Sequence, residues 1–285
     1  MSKTQNRILL FMLEEIIGRF KYHNISAYGA QLAYFFLLSL FPFIIFLIAI
    51  LSHFSISLHG AFNILSKVVP KEAIIVINDY VEAYLPTRSI NVLSISILAT
   101  IWSASRAVNA LINGLNNAYD VQETRGFLKK RLLAMLFTVL VALSIVLALT
   151  IPNMGMDFLL WLSKFVGLTS LAIKLWYYLR WFIIIFILFL VLGSLYLVAP
   201  NTNLKFKEIV PGTIFAIIGW IAISIGFSYF VNNFRNYTIV YGSLTTIIIL
   251  MIWLYLSGII LILGGEMNSL YSIYQELNKK EEINA

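Results

Sequence analysis

The sequence predicts an all-α integral membrane protein, with residues 1–285 forming a single transmembrane domain of about six helices. Two observations carry this prediction. Only 12% of the residues are charged and 60% are hydrophobic, whereas about a quarter of the residues of a soluble domain are charged. The apolar residues are also gathered into stretches of roughly 20 residues, the length that an α-helix needs to cross a bilayer. The polar residues cannot cover a soluble fold of this size, so lipid has to solvate the remaining apolar surface.

Six stretches are long and apolar enough to span. They occupy residues 30–51, 92–112, 132–151, 181–199, 210–231 and 244–263. Pro211 is expected at a helix end, whereas Pro42 lies inside the first span, removes a backbone hydrogen bond and should kink that helix. The outside connections 52–91 and 152–180 are expected to carry amphipathic helices. For residues 158–176, an interfacial, a re-entrant and a spanning helix all remain open.

The distribution of Lys and Arg predicts that both termini lie in the cytoplasm. Of the 20 basic residues, twelve fall on the side of the termini, seven fall on the other side, and Arg106 lies within the second apolar stretch. An excess of Lys and Arg marks the cytoplasmic side of a membrane protein. Residues 278–285 are then a cytoplasmic tail.

Residues 1–21 read as a cytoplasmic amphipathic helix. Its apolar face carries Leu9, Leu13, Ile16, Ile17 and Phe20. Glu15 and Arg19 form an i,i+4 ion pair on another face. Two interpretations remain open: this helix lies on the membrane surface, or it packs against the bundle from the cytosol.

A polar stripe on the second predicted span is the main candidate for a functional site. Its members recur at spacings of three and four, within an arc of about 100°, and they are Trp102, Arg106, Asn109, Asn113, Asn116, Asn117 and Asp120. An arginine at the bilayer centre costs roughly 2.5–3.5 kcal/mol even on the mildest scale. The stripe must therefore face protein, or water held by protein. It either lines a polar pathway that binds an anionic group, or residues 113–120 protrude into the cytosol and Arg106 clamps helix ends.

Glu266 is the second candidate. It follows Gly264 and Gly265 at the inner end of the sixth span, where glycines permit close backbone approach. Its carboxylate could counter Arg106 or bind protons. The alternative is a carboxylate that lies in water at the cytoplasmic edge.

Small residues on the fifth span predict close helix packing. They form a seam of Gly212, Ala216, Gly219 and Gly226. Before the sixth span, Tyr241, Gly242 and Ser243 are expected to begin the helix, with Ser243 near its cap.

Enzyme signatures are absent from the sequence. There is no cysteine, which excludes disulfides and thiolate metal sites. The three histidines, His23, His53 and His59, do not have the spacing of metal ligands on a helix. No P-loop, dinucleotide fingerprint or nucleophile elbow occurs. We therefore expect no catalysis, cofactor, metal or nucleic-acid partner, and membrane lipids as the partners.

Four blocks of the sequence carry a family resemblance. They are QLAYFFLLSLFPFIIFLIAIL at 31–51, SASRAVNALINGLNNAYDVQETRGFLKKRLL at 103–133, PGTIFAIIGW at 211–220 and YGSLTTIIILMIWLYLSGIILILGGEMN at 241–268. They resemble the YihY/virulence factor BrkB family of multi-pass proteins of the bacterial inner membrane. The resemblance implies a role in envelope or host-interaction biology. The leading expectation is transport or flipping of an amphipathic, anionic lipid or envelope precursor; a non-transporting scaffold for envelope biogenesis is the alternative. An older ribonuclease label of the family finds no support in these residues.

Overall fold

The structure, a computed structural model, describes residues 15–53, 90–144, 169–233 and 244–284. Within these ranges every residue is helical or lies in a short connection, which confirms the predicted all-α class. The helices are α1 (15–22), α2 (Ile25–His53), α3 (Ile90–Ala118), α4 (127–144), α5 (Thr169–Val198), α6 (Phe206–Asn233) and α7 (Leu244–Asn284).

Three helices in the described part of the chain have the length and hydropathy of membrane spans. They contain Tyr178–Val198 in α5, Phe206–Phe227 in α6 and Ile247–Leu277 in α7. The other three predicted spans fall on α2, α3 and the described part of α4, so the total of six stays a prediction. Helix α2 continues past Pro42 to His53. Of the predicted outside connections, residues 54–89 of the first and 152–168 of the second lie outside the described residues, so their amphipathic helices also stay predictions. Residues 169–180 belong to α5, which begins at Thr169 and not at the predicted start of its span, residue 181.

Two further predicted helix ends differ from the structure. Pro211 lies inside α6 and not at its end, because Glu208 caps the helix earlier: its Oε2 accepts a hydrogen bond from the backbone N–H of Lys205 at 2.8 Å. A glutamate at the third helical position that bonds back to the residue before the helix is half of a capping box. Helix α7 continues to Asn284, well past the predicted end of its span at residue 263.

Helix α7 is the centre of the described bundle, since it packs against α2, α3 and α6. Glycines bring these helices together. A Cβ atom on Gly258 would lie 3.2 Å from the Cα of Gly29 on α2, and one on Gly265 would overlap the side chain of Leu115 on α3. The buried core lies where these helices meet and includes Leu32, Ile112, Leu115, Tyr196, Ile209 and Ile262.

The seam on α6 takes part in this packing at some positions only. A Cβ atom on Gly212 would overlap the backbone carbonyl of Gly264, and Ala216 is fully buried. One on Gly219 would lie 3.1 Å from the side chain of Ile260, whereas one on Gly226 would meet no described atom within 4 Å. Gly226 therefore does not belong to the described contact. Tyr241, Gly242 and Ser243 lie outside the described residues.

Two residues in the left-handed region shape the turns at one end of the bundle. Asp120 has a φ of 53° and ends α3 in a Schellman motif, in which Val121 N–H bonds to Asn116 O at 2.9 Å and Asp120 N–H bonds to Asn117 O at 3.0 Å. Asn24, with a φ of 51°, joins α1 to α2. These turns fold α1 and the segment after α3 back onto the bundle.

Candidate functional site

A buried network of charges holds α1 against α3 and α7. Glu266 on α7 is 0% exposed. Its Oε2 accepts a hydrogen bond from Arg19 Nη1 at 3.2 Å, and its Oε1 lies 2.6 Å from His23 Nδ1. The same Arg19 nitrogen lies 3.2 Å from the backbone oxygen of Ala118 and 3.2 Å from Ser269 Oγ. One arginine of α1 thus contacts the end of α3 and two side chains of α7.

His23 extends this network towards solvent. The residue is 2% exposed, and its second ring nitrogen, Nε2, lies 3.3 Å from Asp120 Oδ1. The side chain of Asp120 is 62% exposed. Asn117 donates a hydrogen bond from Nδ2 to the backbone oxygen of His23 at 2.7 Å. A chain of three ionisable side chains therefore runs from a fully buried carboxylate to an exposed one.

Glu266 neither counters Arg106 nor lies in water, whereas proton binding by its carboxylate stays a prediction. Its carboxylate contacts Arg19 and His23 instead. The physical reason is that Gly264 and Gly265 let α7 approach its neighbours closely, which leaves the carboxylate no solvent.

The network also shows how the described part of the N-terminal helix packs, whereas residues 1–14 lie outside the described residues. Within residues 15–22, Phe20 packs against the core of the bundle, while Ile17 is 74% exposed. The predicted ion pair is present, with Arg19 Nε 3.5 Å from Glu15 Oε1. The described part of the helix therefore packs against the bundle. Sequence reasoning assigned Arg19 only to the ion pair with Glu15 and gave His23 no role in a site. Arg19 follows Ile16 by three residues and His23 follows Phe20 by three, a spacing that places each near the apolar face of the helix.

The asparagines of the polar stripe bind neighbouring parts of the protein. Asn116 donates to Glu123 Oε2 at 3.0 Å and accepts from the backbone N–H of Asn201 at 2.7 Å. Asn113 accepts from Lys130 Nζ at 2.5 Å, and Asn109 is half-buried. Together with Asn117 and Asp120, which contact His23, they join helices. Asn113, Asn116 and Asn117 thus bind other parts of the protein, while the side chain of Asp120 stays 62% exposed.

The segment after α3 is a further rigid connection. Arg125 binds Glu123 through two contacts of 2.7 Å and donates to the backbone oxygen of Ala199 at 2.7 Å. Hydrogen bonding from Arg125 lowers the pKa of Glu123 to about 2. Asn201 donates to the backbone oxygen of Gln122 at 2.8 Å. The loop therefore fixes the start of α4 relative to the end of α5.

Arg106 lies in a different environment from the rest of the stripe. Its side chain is exposed, its Cζ lies 5.9 Å from the centre of the Phe35 ring, and no carboxylate in the described part of the chain pairs with it. Arg131 of α4 reaches the same place. Its Nη2 donates to the backbone oxygen of Trp102 at 2.8 Å, and its Cζ stacks 3.9 Å from the centre of the Trp102 ring. Trp102 is one helical turn before Arg106, so the two guanidinium groups lie close enough to interact electrostatically.

This pair of arginines is the site most suited to a ligand. The Nε of Arg131 is buried and has no hydrogen-bond partner among the described residues. The two like charges repel each other, and no described carboxylate offsets them. No group of three potential metal-ligating side chains occurs in the described ranges, so the arrangement favours an anion. We refer to Trp102, Arg106 and Arg131 as the arginine site.

Comparison with known proteins identifies the family. The profile of the family described as Virulence factor BrkB matches residues 16–284. The chain belongs to this family. It is 40% identical over 258 residues to a Bacillus subtilis (strain 168) protein that carries the name ribonuclease-like protein YfkH, covering 90% of this chain and 94% of that protein.

Membrane proteins of the group named UPF0761 are also similar. The chain is 28% identical over 279 residues to one from Alteromonas mediterranea, covering 93% of this chain and 89% of the relative. It is 25% identical over 277 residues to one from Vibrio vulnificus (strain YJ016), covering 94% and 84%. No solved structure matches the chain. The family and its membrane location agree with the resemblance seen in the sequence.

Proposed function

We propose that this BrkB-family protein binds an amphipathic anionic lipid or envelope precursor at the arginine site and moves it across the bacterial inner membrane. In this proposal both termini lie in the cytoplasm. The observation that carries it is Arg106, an arginine within a long helix that has no described carboxylate partner and faces a second arginine.

The position of the site along α3 makes a bound anion favourable. Arg106 lies six residues before residue 112, the predicted inner end of the second span. At a rise of 1.5 Å per residue, this separation is about 9 Å. A guanidinium group at such a depth in a bilayer is costly, and a second one nearby adds repulsion. A phosphate or carboxylate between the two would offset both effects, because arginine binds these groups through two parallel hydrogen bonds.

The surface beside the site supports an amphipathic ligand. Ile95, Leu98 and Trp102 are all exposed, and they share one face of α3 with Arg106 at spacings of three, four and four. An acyl chain that lies along this apolar face would place its headgroup at Arg106. The headgroup of the ligand would then contact the arginines, and its acyl chain would contact the apolar face of α3.

One observation favours the alternative of a membrane scaffold. The stripe residues beyond Arg106 are used in contacts between helices, as with Asn116, Glu123 and Asn201. A stripe that only joins helices needs no substrate. The scaffold remains the second candidate function. A transporter moves lipid across the membrane and a scaffold does not, so a measurement of lipid movement separates them. The name of the Bacillus subtilis relative suggests a ribonuclease, but neither the sequence nor the described side chains supply the metal cluster or paired carboxylates that would support one.

A lipid-flipping assay tests the proposal. The purified protein is reconstituted in liposomes with a fluorescent phosphatidylglycerol or, in parallel, a fluorescent phosphatidylcholine. We expect faster flipping of the anionic lipid, and a loss of at least roughly tenfold in Arg106→Gln and Arg131→Gln, equivalent to about 1.4 kcal/mol. Arg106→Lys should be intermediate because it keeps the charge and loses the planar fork.

The control is Lys174→Gln, which removes an exposed charge from α5. It should flip lipid as the unmodified protein does. Arg106→Gln and Arg106→Lys should keep the thermal stability of the unmodified protein, because Arg106 has no described carboxylate that its loss would leave unpaired. Arg131→Gln should lower the stability slightly, because it also removes the contacts of Arg131 with Trp102. Flipping by Arg106→Gln at the unmodified rate would refute the site. Absence of flipping and of binding for every anionic lipid tried would refute transport and favour the scaffold.

A further inference from the structure

The buried network at α1 is separate from the arginine site, and the transport proposed above assigns it no role. His23 is placed between two carboxylates: its Nδ1 lies 2.6 Å from Glu266 Oε1, and its Nε2 lies 3.3 Å from Asp120 Oδ1. A neutral imidazole has one N–H and one lone pair. Both contacts are therefore hydrogen bonds only when the three groups together hold two protons. With one proton, a ring nitrogen would present its lone pair to a carboxylate oxygen.

We propose that Glu266, His23 and Asp120 form a proton-binding site, in which Asp120 exchanges the proton with water and His23 carries it to or from the buried Glu266. The exposed fraction of the side chains rises from Glu266 to Asp120, which supports Asp120 as the residue that exchanges protons with water. The side chains of Glu266 and His23 are 0% and 3% exposed, whereas that of Asp120 is 62% exposed. Neither the family nor the proposed transport assigns such a site.

The charges that face the site agree with two protons. Arg19 of α1 binds Glu266 at 3.2 Å and carries a fixed positive charge. With a doubly protonated His23, the charges of Arg19, His23, Glu266 and Asp120 sum to zero. Loss of one proton leaves a net negative charge next to a fully buried carboxylate, which is unfavourable at low dielectric.

Other polar groups surround the site without replacing the proton. Ser269 of α7 contacts Arg19, and Glu15 of α1 binds the same arginine from its exposed side. Tyr119, after α3, lies close enough to Glu266 and to Glu208 of α6 to interact with both electrostatically, and its buried hydroxyl has no described hydrogen-bond partner. None of these groups adds a fixed positive charge that could take the place of the second proton.

Every proton in the transfer has a donor atom and an acceptor atom. A proton from water or from the Asp120 carboxyl group binds His23 Nε2, and the proton on Nδ1 passes to Glu266 Oε1. The ring then holds one proton on Nε2, and Glu266 is a neutral carboxyl group. The reverse sequence returns the proton to solvent. Without such exchange, the same three residues would act only as a latch that holds α1 on the bundle.

Nitrogen NMR of the His23 ring distinguishes a proton-binding site from a latch that exchanges no proton. The full chain is labelled with ¹⁵N-histidine, and His53→Gln and His59→Gln leave His23 as the one labelled ring, since the chain has three histidines. On acidification over the range in which the fold is intact, we expect both ring nitrogens of His23 to become protonated. In Asp120→Asn this step should move to lower pH by about half a unit or more, because the variant removes the nearby negative charge.

Asp120→Asn is expected to fold, since asparagine tolerates the left-handed conformation that position 120 adopts. The matched control is Glu276→Gln, an exposed carboxylate of α7 outside the network, which should leave the profile unchanged. Two results would overturn the proposal. One is a His23 ring that stays in a single neutral tautomer at every pH. The other is a pH profile of His23 protonation that is unchanged in Asp120→Asn, which would mean that the three residues act only as the latch.

Discussion

Replacement of Gly212 by alanine should separate α6 from α7. The backbone N–H of Gly212 donates to Asn268 Oδ1 at 2.6 Å, in a contact that is completely buried. A Cβ atom at this position would overlap the backbone oxygen of Gly264 and lie 2.5 Å from the Asn268 side chain. A backbone oxygen cannot turn away as a side chain can. The two helices must therefore move apart.

The expected cost follows from three contributions. Overpacking of a tight contact costs about 1–3 kcal/mol, and an unpaired buried polar group costs about 1–3 kcal/mol. The higher helix propensity of alanine returns up to about 1 kcal/mol. We expect a net loss of roughly 2–4 kcal/mol, which corresponds to a fall of about 5–15 °C in Tm. Thermal unfolding in a mild detergent, followed by circular dichroism, measures it.

The same helix supplies the controls. Gly226→Ala should keep or slightly raise the Tm, because an added Cβ meets no described atom within 4 Å. Gly219→Ala should be intermediate, since the atom it meets at 3.1 Å belongs to the movable side chain of Ile260. If Gly212→Ala and Gly226→Ala unfold at the same temperature, the close approach of α6 and α7 is not what stabilises this part of the bundle.

Three further predictions concern pH, topology and catalysis. The pKa of Glu123 is lowered from 4.5 to about 2 by Arg125, so its stabilising contribution is complete above pH 4.5 and is lost as the pH falls towards 2. Glu123→Gln should thus cost roughly 2 kcal/mol in denaturant unfolding at neutral pH and almost nothing below the folded pKa; equal costs at both pH values would contradict this. Single cysteines at Asn203 and Glu276 should react with an impermeant thiol reagent only from the cytoplasm, and one at Asp79 only from outside; outside labelling of position 203 would overturn the six-span topology. The purified protein should not cleave RNA with any divalent metal, and cleavage that one point mutation of this chain abolishes would prove the contrary.

The polar stripe shows what helical periodicity in a sequence can predict and what it cannot. Spacings of three and four place Arg106, Asn113 and Asn116 on one side of α3, because these positions lie in one continuous helix and helical geometry is a local property. The partners of these residues could not be found in this way. Asn201 and Asn116 are 85 residues apart in the chain, and only the folded connection between α5 and α6 brings them together. Arg131, which lies beside Arg106 at the arginine site, directly precedes the third predicted span, and sequence reasoning counted it only among the cytoplasmic basic residues.

The sequence by itself determined the helical class, the approximate position of the apolar helices and the family, since each depends on local hydrophobicity or on contiguous motifs. Only the tertiary structure decided what surrounds Glu266. Its partner Arg19 is 247 residues away in the chain, and the contact exists because glycines on α7 let the helices approach closely enough for α1 to cover the carboxylate. A buried charge needs a partner wherever it lies, but which residue becomes that partner depends on how the helices pack.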